Sequence, residues 1–451
     1  MIRSSTAWII VAWAAAGLIG CASVDEQPPA RKEAPAPASH VTPASPALPA
    51  VPAVASPPAT PAPPAIVAAP KPALPTPSAA ESPGATAPQA LDVVVQRAGT
   101  RIFNDALRVL GNAPRDLVID PFIDANTGQQ TLSGIAAGGQ LARLIAENFR
   151  LWTVRPFDRK ALASTPLLLI GTLTPVTLNE AGNGPPDAYR LWLTLVDLRS
   201  GQIVAKRLDR ATLASVNAEP TPFFRDSPTW HMDRTTAAYI KSCQVEARVG
   251  ERIDTLYQWR LPAAVLLHEA IVAYHDKQYA QARRLFVQAS AIADPDDSRV
   301  LNGRYLTNWQ LGAKDDAALE LKRLVTNGLA AKSLPLKVRF QPGTTVMPPG
   351  ADQREQYRLW IREVARQTGA QQACLRVVAH ASRSPSASAS VELSQRRAAT
   401  VRWLLAQAAP SSGNRFTAQG AGWRDNLVGL GHDDERDALD RRIEFRVVDC
   451  P

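Results

Sequence analysis

The sequence predicts an α+β, multidomain chain, and three observations carry that reading. Its 451 residues exceed one ordinary domain. Strand-like and helix-like segments alternate in two mixed blocks, with a helical stretch between them. Nineteen of the 38 prolines fall between positions 28 and 88, ahead of both blocks. The division this gives is 1–20, 21–90, 91–245, 250–331 and 332–451. A hydrophobic fraction of 45% excludes wholesale disorder and a polytopic membrane protein. The net charge of +9 is mild, and with 6% aromatic residues and no basic block it argues against nucleic acid as a partner.

Met1-Ile2-Arg3 and the apolar run from Ala7 to Gly20 have the makeup of a secretory leader, too short to span a bilayer comfortably. A plain signal peptide or an uncleaved anchor would carry the same run. The run ends Leu18-Ile19-Gly20-Cys21, which resembles a bacterial lipobox. The resemblance implies cleavage before Cys21, diacylation of its thiol and acylation of the new amine. Ala22 after the cysteine implies sorting to the outer membrane, and since no other apolar run approaches 18 residues the rest is expected in the periplasm, with exposure at the cell surface as the alternative. Several acyl chains make a stable anchor where one would be reversible. From Pro28 to Ala90 the chain is Pro/Ala-rich and almost uncharged, too poor in apolar bulk to offset chain entropy. As a polyproline II spacer at about 3.1 Å per residue it would reach roughly 200 Å.

In the 91–245 block, Leu117–Phe122 reads as a buried strand. Ser133 is a candidate cap for a helix whose Ile135, Leu141, Leu144, Ile145 and Phe149 recur near the helical period. The segment 167–173 (LLLIGTL) and two strands, 189–198 and 202–208, follow, the last two joined at Arg199-Ser200-Gly201 as a hairpin. This order, with Gly171, Asp197 and Ser200-Gly201, resembles the domain of FlgO-type flagellar lipoproteins. It is also similar to curli-secretion (CsgG) and penicillin-binding-protein-activator lipoproteins. The resemblance implies a non-enzymatic module that docks on an envelope protein; the Asp and Gly also have simple turn explanations.

In the helical stretch, Tyr279, Ala282, Phe286 and Ala289, closed by Pro295, resemble a tetratricopeptide repeat. Gln310–Ala313, Ala317-Ala318 and Leu321 look like a degenerate second unit. Fewer than three repeats seldom stand alone, so the stretch reads as a spacer packed on a neighbour.

The last block gives strand 334–340, helix 352–368, strand 375–380, helix 393–407, strand 415–422 and a final strand 441–448. With Leu393-Ser394-Gln395-Arg396-Arg397-Ala398, Gln419-Gly420-Ala421-Gly422 and Asp440-Arg441-Arg442-Ile443-Glu444, this β-α-β-α-β-β series resembles an OmpA-type peptidoglycan-binding domain. In that family an Asp after the second strand and an Arg in the next helix hold the diaminopimelate of the wall peptide. The chemistry is a carboxylate on an ammonium and a bidentate guanidinium on a carboxylate. Arg397 matches the helix Arg. The Asp position falls on Ser382, the helix-start Asn on Ser390, the Asp after the first strand on Gln341, and the Asn before the paired arginines on Asp440. The resemblance thus implies a peptidoglycan site at Arg397, Ser382, Ser390, Arg441 and Arg442, with its cation-gripping carboxylate replaced by a hydroxyl and its binding weakened. Over 332–451 there are 18 Lys and Arg against 12 Asp and Glu, a balance that suits an anionic polymer without requiring one.

The same sheet implies antiparallel neighbours that would bring Cys374 and Cys450 together as a disulfide, leaving Cys243 a buried thiol. No GxSxG, HExxH or phosphate-cradling glycine loop occurs, and no cofactor or metal is expected. His432-Asp433-Asp434-Glu435 reads as a charged loop rather than a metal cluster. The expectation is a non-enzymatic outer-membrane lipoprotein that tethers an envelope assembly to peptidoglycan. The alternative is a scaffold of a secretion or flagellar machine that uses the same module to bind protein.

Overall fold

Two sheets, each backed by helices, organise the computed structural model, which describes residues 87–450 apart from 179–185, 245, 296, 335, 348–349, 385, 430 and 432–434. Cys21, the leader, nearly all of the Pro-rich stretch and the acidic run at His432 lie outside the described residues. The chain is α+β. Its first block runs α1 (Leu91–Leu110), β1 (Arg115–Ile119), α2 (Leu132–Asn148), β2 (Trp152–Val154), α3 (Arg159–Ala163), β3 (Leu167–Val176), β4 (Ala188–Asp197) and β5 (Gln202–Thr212). The sheet order is β2-β1-β3-β4-β5, with β1 parallel to β2 and β3, and β3, β4 and β5 antiparallel.

Nine of the ten residues of β3 are buried, because helices cover both faces. Leu167, Leu169 and Leu173 meet α1 and α2, while Leu168 and Ile170 meet Tyr239, Tyr257 and Val265 on the other side. Gly171 is required there: a Cβ would lie 2.7 Å from Trp192 O and 3.0 Å from the Phe122 ring. The β4–β5 turn closes on Gly201 at φ +71°, with Asp197 Oδ1 accepting from Arg199 N.

Two details of this block differ from the sequence reading. The cap of α2 is Thr131, whose Oγ1 accepts from Gly134 N, because Ser133 Oγ instead accepts from Asn217 N. Ile135 is 43% exposed, on the outer face of α2 rather than its apolar stripe.

Then follow α4 (Pro222–Asp226), α5 (Arg234–Cys243), α6 (Thr255–His275), α7 (Tyr279–Ser290), α8 (Ser298–Gln310) and α9 (Lys314–Ala330). Ala282, Phe286 and Ala289 are fully buried in α7. The Phe286 ring lies so close to α8 that a Cβ on Gly303 would come within 2.4 Å of it.

The last block is β6 (Ser333–Leu334), α10 (Ala351–Ala370), β7 (Cys374–His380), α11 (Ala387–Ala408), β8 (Phe416–Gly422) and β9 (Ile443–Val448), in sheet order β6-β9-β7-β8. β7 is parallel to β8 and antiparallel to β9. Cys374 pairs with Val448 in that ladder, so Cys450 reaches Cys374, and the two are joined with Cα atoms 5.2 Å apart. Cys243 is buried and unpaired.

The strand expected over 334–340 is a ladder only at 333–334. Beyond it Lys337 N donates to Pro228 O and its Nζ to Phe224 O, which draws the chain toward α4 and off the sheet. Leu336, Val338 and Phe340 are buried all the same.

One apolar core runs from Leu266 and Phe286 through Tyr305, Leu336 and Trp360 to Leu375, Phe416 and Ile443, so the helical stretch and the last block share an interior. Val428 and Leu439, between β8 and β9, enter the core of the first block. Among the described residues, no helix is long and apolar enough to cross a membrane.

Candidate functional site

The residues singled out from sequence converge where β7 ends and α11 begins. Helix α11 starts at Ala387, with Ser386 Oγ capping it by accepting from Ala389 N, three residues before Ser390. Ser390 is therefore inside the first turn. Its Oγ donates to Ser386 O and lies 2.8 Å from Ser384 Oγ. One turn on, Ser394 Oγ accepts from Gly422 N and Gln395 Oε1 from Gly420 N. A Cβ on Gly420 would sit 2.5 Å from Gln395 N, so this glycine lets β8 lie directly on the helix.

Arg397, a further turn along, is fully buried. Its Nε donates to Thr344 O at 2.8 Å, Nη1 to His380 O at 3.2 Å and Nη2 to Gln341 O at 3.1 Å, and the guanidinium lies 5.1 Å from the centre of the Phe340 ring. It thus joins α11 to the end of β7 and to the 341–347 turn, which bends at Gly343 with φ +64°. A ligand carboxylate reaches this guanidinium only if that turn moves.

Ser382 is buried, and its Oγ has no hydrogen-bond partner among the described residues. Asn426 bonds to the residues on either side of it: with the amide oriented to satisfy its neighbours, it donates to Ala381 O and Trp423 O and accepts from Arg383 N. His380 beside it is fully buried, with neither ring nitrogen in a hydrogen bond. Its Nε2 is 3.7 Å from Glu444 Oε1, an ionic distance rather than a hydrogen bond. Burial, and then the Arg442 charge, push the His380 pKa down. Glu444 is held well below the usual carboxylate range: burial opposes this, but the charge and hydrogen bond of Arg442 pull it down.

Arg441 and Arg442 are both buried just ahead of β9. Arg441 Nε donates to Phe340 O. Arg442 donates from Nε to Glu444 Oε1 at 2.7 Å and from Nη2 to Asp425 O at 3.0 Å. Asp440 accepts three backbone N–H groups, from Leu427, Val428 and Gly429, at 2.6–3.0 Å. Burial still raises its pKa against those bonds.

The structure therefore brings Arg397, Ser382, His380 and Arg442 into one cluster, with Ser390 at its helix side and Arg441 on the Phe340 side. The arrangement offers a buried, unpartnered hydroxyl and no carboxylate at Ser382. Sequence reading missed the parts played by Glu444 and Asn426. Glu444 is legible in principle, because alternation in β9 sets it between inward Ile443 and Phe445; Asn426 lies in an irregular connection without periodicity. Among the described residues, no group of His, Cys, Asp and Glu is arranged to hold a metal.

Residues 339–438 match the OmpA family. No curated protein matches the chain. A solved structure that does is the LpoB C-terminal domain from Salmonella enterica, at 14% identity over 27% of this chain and 98% of that chain. Its TM-score of 0.20 is too low for the likeness to carry an argument.

Proposed function

We propose that the chain is a non-enzymatic, lipid-anchored outer-membrane protein, facing the periplasm, whose C-terminal module engages peptidoglycan. The observation that supports this most is the OmpA-family match over 339–438, which contains Ser382, Ser390 and Arg397 and ends just before Arg441 and Arg442. The buried Ser382 hydroxyl without a partner is the polar group left for a ligand at the position where the family carries its Asp. The Cys21 anchor and the Pro-rich spacer supply reach from the bilayer to the wall, and the 91–245 block docks on an envelope protein.

A second reading, a scaffold in a secretion or flagellar machine, is favoured by one feature. The Arg397 guanidinium is turned onto backbone carbonyls and Ser382 carries no charge, so neither half of a diaminopimelate clamp stands open.

Retention of the full chain, carrying Cys21→Ser to prevent acylation, on purified sacculi separates the two. Wild type should be retained weakly and Ser382→Asp roughly tenfold or more tightly, the range for adding one charged hydrogen bond. No retention of either protein would rule out the wall reading in favour of the scaffold. Labelled peptidoglycan should stay intact in both cases.

A further inference from the structure

A cleft of about 490 Å³ opens where α4 and α8 meet the last block, on the α10 side, and Ser382 is not among the residues that line it. Buried Tyr357 and Trp360 line its wall, and Lys337, Arg339 and Arg441 project into it from the segments flanking Phe340 and β9. Its two acidic residues are already engaged. Asp226 accepts from Arg225 Nε and Tyr274 OH, both at 3.0 Å, and Asp352 from Trp309 Nε1 and Gln356 Nε2, both at 2.8 Å. Lys337 is buried with its amine on Phe224 O, and burial followed by the charge of Arg339 drives its pKa down.

Arg339 differs from these neighbours. It is half-buried, and its guanidinium makes no hydrogen bond or ion pair among the described residues. A partly desolvated guanidinium beside other cations is uncompensated, and a bound anion would relieve it. The flat, forked donor set suits a carboxylate. The amides of Gln341 and Gln353 line the same cleft and can pair with peptide groups. Asp352, its side chain 61% exposed at the rim and 3.7 Å from Lys314 Nζ, disfavours a multiply charged anion.

We propose that this cleft binds the C-terminal end of a short peptide, with Arg339 clamping its terminal carboxylate. The site does not depend on the wall-binding reading. Titration of the full Cys21→Ser chain with tetra-alanine and with tetra-alanine amide, followed by calorimetry, tests it. The free acid should saturate the wild-type chain. The amide, or Arg339→Ala with the acid, should bind at least about tenfold more weakly. Arg339→Lys should fall between, since it keeps the charge but loses the fork. Arg339→Ala removes no internal bond, so its melting temperature should match wild type. Absence of saturable binding, equal affinity for acid and amide, or undiminished binding by Arg339→Ala would each overturn the proposal. Ser382→Asp should leave this binding unchanged whatever it does on sacculi.

Discussion

Replacing Arg397 with Met keeps most of the buried volume but removes a guanidinium that donates to three main-chain carbonyls. Gln341 O also accepts from Thr344 N at 3.2 Å, so it keeps a partner. The cost therefore falls mainly on Thr344 O and His380 O. Hydrogen bonds from a charged donor contribute about 1.5–3 kcal/mol each, so two orphaned carbonyls account for about 3–6 kcal/mol. Removing the charge also removes its desolvation cost, but the orphaned carbonyls remain. The expected loss is about 3–5 kcal/mol, read as a lower urea midpoint at unchanged slope. Amide protection across 341–347 should fall more than in β7. Arg397→Lys should recover less than half, since one ammonium does not span three divergent carbonyls. A loss under about 1 kcal/mol with protection of the turn intact would refute the reasoning, and would return Arg397 to the role of an available anion clamp.

Two further outcomes follow from buried groups. Cys450→Ser, or reduction of wild type, should destabilise the chain by about 2–4 kcal/mol, because the bond closes a 76-residue separation between the start of β7 and the end of the chain; identical urea midpoints with and without reductant would contradict this. Burial raises the Asp120 carboxyl to about 6 from 3.8, against the Tyr257 hydrogen bond and the Arg299 charge, so between those pH values the folded chain holds a proton the unfolded chain has released and stability falls as pH rises. Asp120→Asn should therefore gain on wild type by about 3 kcal/mol between pH 4 and 7, its amide oxygen still accepting from Tyr257 OH, and parallel pH–stability curves would count against it.

Periodicity made much of this architecture legible. Alternation in β4, the apolar run of β3 and the helical spacing of α7 and α10 all state their burial in one dimension. The glycines of Gln419-Gly420-Ala421-Gly422 were legible as a motif, but not as the spacing device they are, because that depends on Gln395 lying across the strand. The extended segment after β6 misled. Leu334, Leu336, Val338 and Phe340 alternate like a strand and are buried like one, yet Lys337 bonds to the α4 region, which no local pattern encodes. Arg397 was found by resemblance, and the resemblance carried a role with it. Its three carbonyl partners come from two segments distant from it in sequence, the 341–347 turn and the end of β7, and only the fold brings them together.

Those partners also bear on how the last block behaves. Between Leu336 and Thr344 the backbone is held from both sides. Lys337 ties it to Pro228 and Phe224, Ile443 N donates to Val338 O, Arg441 to Phe340 O, and Arg397 to Gln341 O and Thr344 O. Trp360 Nε1 donates to Tyr305 OH, which donates in turn to Gln356, so α8 is bonded to α10 across the same seam. Cutting the chain at residue 332 would strip Lys337 of its carbonyl partners and bare Trp360 along with the apolar residues that face α8. The 341–347 turn would then be held by bonds within the last block, with Arg397, Arg441, Ile443 N and Tyr357 OH. Displacement of that turn, which a ligand carboxylate must achieve to reach Arg397, is opposed in the whole chain by contacts that belong to the helical stretch and the first block. The reach of Arg397 toward a ligand is thereby tied to the packing of α4 and α8 against the last block.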